Sequence, residues 1–318
     1  MRPLPGDLAG LRAGGKGALA RALSALETAP GDAGLAALLD AALATPQGLA
    51  LGLTGPPGVG KSTLTNALIA RLRARGETVA VIAVDPSSRR SGGALLGDRT
   101  RIETDPEDTG VFVRSMAARK RLGGLADITY PAMVLMRALH DLTLVETVGV
   151  GQSETEIADV ADLVVFCAQP GSGDAIQFMK AGVMEVPDVV LVTKGDLGPP
   201  ALRAAADVKG ALSLSAEDAP PDVAIVSSQT GQGIDAALDL IAARVERARL
   251  SGALAARRAA QARAWAESRL RETFGAVGLD ALRPRLAGGA SPFAAVTALT
   301  EAARPRVEQG LAGLWETA

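Results

Sequence analysis

The stretch Gly55-Pro56-Pro57-Gly58-Val59-Gly60-Lys61-Ser62 decides how the rest of the chain is read. It matches the phosphate-binding loop pattern in full: a glycine, four residues, then Gly-Lys-Ser. The apolar run Ala50–Thr54 leads into it, and a helical run, Thr63–Arg75, leaves it and closes at Gly76. Glycines let backbone N–H groups converge on phosphate oxygens, and the start of a helix adds partial positive charge. The expected nucleotide contacts are therefore Gly55 through Ser62, including Pro56, Pro57, Gly58, Val59 and Gly60, with Thr63 beyond. Lys61 is expected to reach the outer phosphates and Ser62 to ligate Mg²⁺.

Outward from the loop, short apolar, β-branched runs alternate with helical segments. The candidate strands are Ala50–Thr54, Thr78–Val84, Val111–Arg114, Leu142–Glu146, Leu163–Ala168, Val189–Thr193 and Val223–Ser227. Most are apolar almost without interruption, the texture of strands covered on both faces. Such alternation predicts an α/β fold with a doubly wound, mostly parallel sheet, whose ligands lie beyond the carboxyl ends of the strands. Every motif read here sits at such an end.

Val145-Glu146-Thr147-Val148-Gly149 ends one strand. In phosphate-loop proteins this place carries an acid for the metal and a glycine whose N–H meets the outermost phosphate. Glu146 is expected to act as the acid, with a longer side chain than the usual Asp, and Gly149 as the glycine. The loop Gly149-Val150-Gly151-Gln152-Ser153-Glu154 can tighten on a triphosphate and relax on a diphosphate. Asp85, at the end of another strand, is a candidate partner for the metal or its water. Arg99 and Arg101 are candidates to meet phosphate charge.

Val189–Thr193 leads into Lys194-Gly195-Asp196, where guanine-specific proteins carry Asn-Lys-x-Asp. Asp196 accepts two hydrogen bonds from the guanine ring N–H and amino group, whereas adenine offers an acceptor at the ring position. Charge-assisted hydrogen bonds contribute about 1.5–3 kcal/mol, so Asp196 favours GTP. Lys194 packs over the base. Thr193 stands where Asn is usual, which predicts a loss of ~1 kcal/mol in nucleotide affinity. Gly195, where Ala is common, is expected to be harmless. Ser227-Ser228-Gln229-Thr230-Gly231 resembles the Ser-Ala-x loop that offers a backbone N–H to the guanine carbonyl.

Composition sets outer limits. The 318 residues are 48% hydrophobic and 21% charged, which suits a folded globular chain. A formal charge of -2 and an aromatic content of 3% argue against a nucleic-acid surface. One cysteine, Cys167, and one histidine, His140, exclude an internal disulfide and a Cys/His metal cluster within one chain. Cys167 lies in an apolar strand and reads as core. His140 closes an apolar helical run and reads as solvent-facing or structural. No uncharged apolar run is long enough to span a membrane, and no signal-peptide pattern opens the chain, so the expected location is the cytoplasm, or an organelle matrix if a transit peptide has been removed.

The flanks read differently. Residues 1–46 are Ala- and Leu-rich at helical spacing, broken near Pro30-Gly31, and form an expected N-terminal helical extension. Residues 47–248 hold the strands. Residues 249–318 return to helical spacing, punctuated by Pro284, Gly288-Gly289 and Pro292, as an expected C-terminal helical region that caps the sheet or, with an exposed apolar stripe, makes a dimer interface.

Several of these stretches together resemble the MeaB/ArgK family of P-loop GTPases: the phosphate loop, Val84-Asp85-Pro86-Ser87-Ser88, Gly92 through Arg101, and Glu146 through Glu154. Pro170-Gly171-Ser172-Gly173-Asp174, with Gln177 and Lys180 after it, belongs to the same resemblance, which runs from about Gly17 into the C-terminal helices. The resemblance implies a SIMIBI-type GTPase core, a homodimer formed through C-terminal helices, and GTP and GDP with Mg²⁺ as ligands. It implies a cobalamin-dependent acyl-CoA mutase as partner, most often methylmalonyl-CoA mutase, with GTP hydrolysis timing cofactor delivery, protection or reactivation. It also implies metal and switch roles for Asp85, Arg101 and Glu146, and a partner-responsive switch at Asp174, Gln177 and Lys180. Three other readings compete. A nickel-insertion GTPase would need Cys and His ligands. An ATP-dependent kinase, as in the older ArgK label, would need a phosphoacceptor site. An inert scaffold conflicts with the presence of Lys61, Ser62 and Glu146.

Overall fold

The computed structural model describes residues 4–85, 102–117, 125, 127–147, 153–171, 186–213, 220–286 and 291–316. Its seven strands are β1 (Leu49–Thr54), β2 (Val79–Asp85), β3 (Val111–Ala117), β4 (Leu142–Glu146), β5 (Leu163–Ala168), β6 (Val189–Val192) and β7 (Asp222–Ile225). Each falls on an apolar run read from the sequence, the largest departure being β3, which continues past Arg114 to Ala117. They pair in the order β3-β2-β4-β1-β5-β6-β7, and every adjacent pair is parallel.

Parallel neighbours need crossovers, and helices supply them. Among the described residues the helices are α1 (Leu8–Ala13), α2 (Gly15–Thr28), α3 (Ala33–Ala44), α4 (Lys61–Ala74), α5 (Thr129–Leu139), α6 (Ser153–Glu156), α7 (Pro199–Leu212), α8 (Ile234–Leu250), α9 (Ala253–Leu286) and α10 (Pro292–Glu316), of which α4 to α7 lie between successive strands. Strand side chains alternate between faces. Leu51, Leu53, Val79, Val81, Leu142 and Leu144 join Leu64, Leu68 and Leu72 of α4 and Ile234, Leu238 and Ile241 of α8 in one core. Phe166, Ala168, Val190 and Val192 meet Ala201, Ala205 and Val208 of α7 in another. Helix α5 packs on β1, β2 and β4, and its Met133, Val134, Leu135 and Met136 are all fully buried. A helix apolar on every side is stable only when covered on every side.

The central strand β1 lies between β4 and β5. From β1 the chain first passes to β2 and β3, then returns to fill the place beside β1 with β4, and only then crosses to the other half. This reversal opens a crevice at the carboxyl end of β1, where the phosphate loop begins. The opposite end of β1 is tied down. Arg137 on α5 donates to Asp162 at 2.9 Å, both side chains being buried. Asp162 also accepts the Ala50 amide at 2.9 Å, and the Arg137 carbonyl accepts the amides of Gln47 and Gly48 at 3.1 and 3.0 Å. Beside them, Arg257 forks onto both oxygens of Asp188 at 2.8 and 3.0 Å and donates to the Asp162 carbonyl at 2.7 Å. The hydrogen bonds to Asp188 push the Arg257 guanidinium's pKa up.

The chain divides into two compact units, Gln47–Arg257 and a second made of Met1–Pro46 with Arg258–Ala318. In the second, helices from the two ends of the chain pack together, α3 against α10. Asp40 on α3 accepts the amides of Phe293 and Ala294 at 3.1 and 2.9 Å. These are two of the orphan donors at the start of α10, whose first residue, Pro292, has no N–H. Burial raises the Asp40 carboxyl against the lowering effect of the two amides. Trp265 packs against Phe293, with ring centroids 4.3 Å apart and the ring planes tilted by 47°. Helix α9 breaks at Gly275, whose φ of 72° a side chain would resist. None of the described helices is long and apolar enough to cross a membrane.

Candidate functional site

The phosphate loop bridges β1 and α4 with the backbone that the glycines allow. Gly58 and Gly60 sit at φ 76° and 101°. Gly55, at φ 135°, lies so close to the end of β5 that a Cβ would stand 2.4 Å from the Cys167 carbonyl oxygen. Val59 is fully buried in the core and pins the loop's middle, while Pro57 and Gly58 are exposed. Lys61 opens α4 with only 7% of its surface exposed, and its ammonium donates to the carbonyls of Gly55 at 2.7 Å and Pro56 at 3.2 Å. Pro56 is buried, Ser62 half-buried and Thr63 exposed.

Glu146, the last residue of β4, stands opposite Leu53 of β1 and Ala83 of β2 in the sheet register. Its carboxylate meets α4: Ser62 Oγ donates to Oε1 at 2.6 Å and Thr65 Oγ1 to Oε2 at 2.9 Å. Thr147 then donates its amide to the Leu53 carbonyl and its hydroxyl to Thr54 Oγ1, both at 3.1 Å, closing β4 onto β1 above the loop. Ser62 and Glu146, 84 residues apart in sequence, are thus brought together as one oxygen donor pair.

The base side assembles beyond β6 and β7. Thr193 Oγ1 lies 2.7 Å from the Val59 carbonyl and 3.0 Å from the Ala168 carbonyl. A hydroxyl has one proton for these two acceptors, where an Asn amide would have two. Lys194 takes a left-handed backbone at φ 56° and donates to the Gly58 carbonyl at 3.3 Å and to Gln169 Oε1. Asp196 is exposed, and one of its oxygens accepts Ser227 Oγ at 2.6 Å. Ser227 is buried, and its carbonyl accepts the Gly231 amide at 2.9 Å; Ser228 and Gln229 lie in that turn. Gly195 donates its amide to the Val226 carbonyl at 2.9 Å. A Cβ there would sit 2.9 Å from Ile225 Cγ2 and 3.2 Å from the Val226 backbone, so glycine lets this loop close tightly on β7.

Asp85 ends β2, in register with Ala117 of β3. Its side chain lies outside the described residues, as do Arg101, Gly149, Asp174, Gln177 and Lys180. Two residues that the sequence motifs do not include touch the site. Thr65 was findable, since it lies three positions past Ser62 on the same helix face. Gln169 carried no signal; only the closing of β5 against β6 brings it to Lys194.

Cys167 and His140 sit away from any shared site. Cys167 is fully buried behind the phosphate loop, and burial pushes its thiol up to about 12, opposed by Lys61 and reinforced by Glu146. His140 follows α5 and is buried at the other end of the parallel strands, its Nδ1 3.0 Å from the Met136 carbonyl and its imidazole pushed down by burial. It is therefore structural and not solvent-facing. Among the described residues no cluster of three or more His, Cys, Asp or Glu is placed to hold a metal ion.

Residues 19–277 match the family model for the methylmalonyl Co-A mutase-associated GTPase MeaB. A putative GTPase of Caulobacter vibrioides is 40% identical over 270 residues, 82% of this chain and 83% of that protein. The mitochondrial methylmalonic aciduria type A homolog of mouse is 40% identical over 221 residues, 68% of this chain and 53% of its own length. GTPase ArgK of Escherichia coli is 42% identical over 190 residues, 58% of this chain and 57% of that one. Among solved structures, a LAO/AO transport system kinase superposes with a TM-score of 0.65 at 28% identity, covering 92% of this chain and 96% of that one. With a parallel sheet that carries a phosphate loop at its central strand, and a family match spanning residues 19–277, the chain belongs to the MeaB/ArgK family of P-loop GTPases.

Proposed function

We propose that this GTPase is a chaperone for a cobalamin-dependent acyl-CoA mutase of the methylmalonyl-CoA mutase type, timing cofactor delivery, protection or reactivation by GTP hydrolysis. The observation that carries the partner is the match over residues 19–277 to a family described by its association with that mutase. The name of the mouse relative points the same way.

In this reading the loop from Gly55 to Thr63 cradles the phosphates, and Lys61 turns from the Gly55 and Pro56 carbonyls toward phosphate charge. Ser62 and Glu146 fit a magnesium site: a hydroxyl and a carboxylate are hard oxygen donors, and Mg²⁺ takes few protein ligands beside phosphate and water. Bound there, Mg²⁺ would neutralise charge on the phosphates. Asp85 and Arg101 complete the metal and switch residues, and the Gly149 N–H meets the terminal phosphate. Asp196 reads guanine, Lys194 covers the base, and Thr193 with Ser227, Ser228 and Gln229 braces the pocket. Hydrolysis rests on positioning and charge stabilisation, with no strong general base among these residues, so intrinsic turnover is slow. The mutase speeds it by ordering Glu146 through Glu154 and the segment carrying Asp174, Gln177 and Lys180. The region 249–318 pairs two copies of the chain; the exposed Val277 and Val307 give a second copy apolar surface to cover.

The test is GTP and ATP hydrolysis with and without such a mutase. Slow, GTP-selective hydrolysis that rises with the mutase supports the proposal, and Lys180→Ala removes the rise. Hydrolysis indifferent to every such mutase sinks the chaperone role. ATP preference sinks the assignment of Asp196 and favours a kinase reading.

A further inference from the structure

Thr65 belongs to none of the nucleotide motifs, yet its hydroxyl donates to Glu146 Oε2 at 2.9 Å and its side chain is fully buried on α4. The other oxygen, Oε1, accepts Ser62 Oγ at 2.6 Å. The two donors lie one turn apart on one helix face, so the helix that carries the phosphate loop grips both oxygens of a single carboxylate. Glutamate has one more rotatable bond than aspartate, and its terminal torsion is broad. A single hydrogen bond fixes one oxygen and leaves the carboxylate free to swing about it. A second bond from the next turn fixes the plane.

We infer that Thr65 is a positioning residue for Mg²⁺ ligation: its hydroxyl locks the Glu146 carboxylate so that Oε1 stays at Ser62. The inference rests on the proposed role of Glu146 as the metal-side acid. Thr65 touches neither phosphate nor base in this assignment and acts only through Glu146. Threonine at this place compensates for the extra methylene of Glu146.

The experiment follows release of a fluorescent GDP analogue from the full-length protein while Mg²⁺ is titrated. Thr65→Val keeps the side-chain shape and removes the hydroxyl. It raises the Mg²⁺ concentration at the midpoint by roughly ten-fold, the lower range for residues that orient a metal ligand. Affinity for the analogue in EDTA stays at the wild-type value. Thr65→Ser restores the wild-type midpoint. Thr65→Ala is made alongside, so that a folding failure of one variant leaves the other to decide. In a Glu146→Gln background the Thr65→Val shift disappears, because the group through which it acts has lost its charge. A Mg²⁺-sensitive wild type beside Thr65 variants with unchanged midpoints overturns the inference alone. Equal losses of affinity with and without Mg²⁺ also overturn it, because they mark a general packing role. A wild type whose release ignores Mg²⁺ overturns the metal-side role of Glu146 and this inference with it.

Discussion

The unit Gln47–Arg257 and the unit built from the two chain ends hold themselves together by different means. In the first, strands that are apolar on both faces are covered by helices, and the hold is spread over the repeated pairing and packing of the sheet. In the second, helices of similar Ala- and Leu-rich composition have little to distinguish one packing from another. There the specificity comes from single polar fastenings, above all Asp40 on the first turn of α10, 253 residues away in sequence. A repeating pattern tolerates local damage, whereas a lone fastening concentrates the cost at one residue.

Substitutions at four positions sharpen that contrast. The largest effect is expected at Arg137, a buried polar fastening inside the patterned unit. Arg137→Ala strands Asp162 in the core and costs about 3–5 kcal/mol, and Arg137→Met recovers part of it. Chemical denaturation measures both, and a loss below 1 kcal/mol for the alanine variant would show that the strand pattern alone holds β1. Lys61→Ala tests the reverse case, a residue whose value lies in the ligand. Losing charge-assisted bonds of about 1.5–3 kcal/mol each weakens GTP binding about 100-fold or more, while the denaturation midpoint barely moves. Calorimetric titration with GTP reads the first, and a large fall in midpoint would contradict the second.

Asp40→Ala leaves two helix-start amides without their acceptor and costs about 1–3 kcal/mol, with GTP affinity unchanged. Thermal melts of the variant beside GTP titrations separate the two readouts. Burial raises this carboxyl above its usual 3.8, so the part of the stability linked to its protonation is fully present below pH 3.8 and is lost as pH rises through the raised folded value, while the two amide bonds remain. Asp40→Asn should flatten that stretch of the stability profile. The smallest effect is expected at Thr193→Asn. Two amide protons for the Val59 and Ala168 carbonyls in place of one should tighten GTP binding several-fold, about 1 kcal/mol. Unchanged or weaker binding would mean that the hydroxyl already suffices.

The contrast also explains what the sequence could tell. All seven strands and the phosphate loop are legible because their signals are local: an apolar run, a glycine spacing, a lysine before a serine. Lys61, Ser62 and Glu146 are legible in the same way, as members of local motifs. Thr65 is legible only as a position one turn past Ser62, and Gln169 not at all, because each meets its partner only through pairing between distant strands and helices. The clasp of Asp40 on α10 is of the same kind, since an aspartate inside a helix looks like any solvated acid until the far end of the chain arrives.

Strand β1 has a consequence for the order of assembly. Its neighbours are β4 and β5, so Leu49 pairs with Leu142 and Leu51 with Leu163. The nearest native partner of the phosphate loop's own strand is some ninety residues away along the chain, and the other lies farther still. Such long closures slow the search for the native pairing. On the ribosome, the strand that carries the nucleotide loop stays without either neighbour until β2, β3 and then β4 have emerged. The first strand of the sheet to be synthesised is thus completed only after β4 and β5 have followed it.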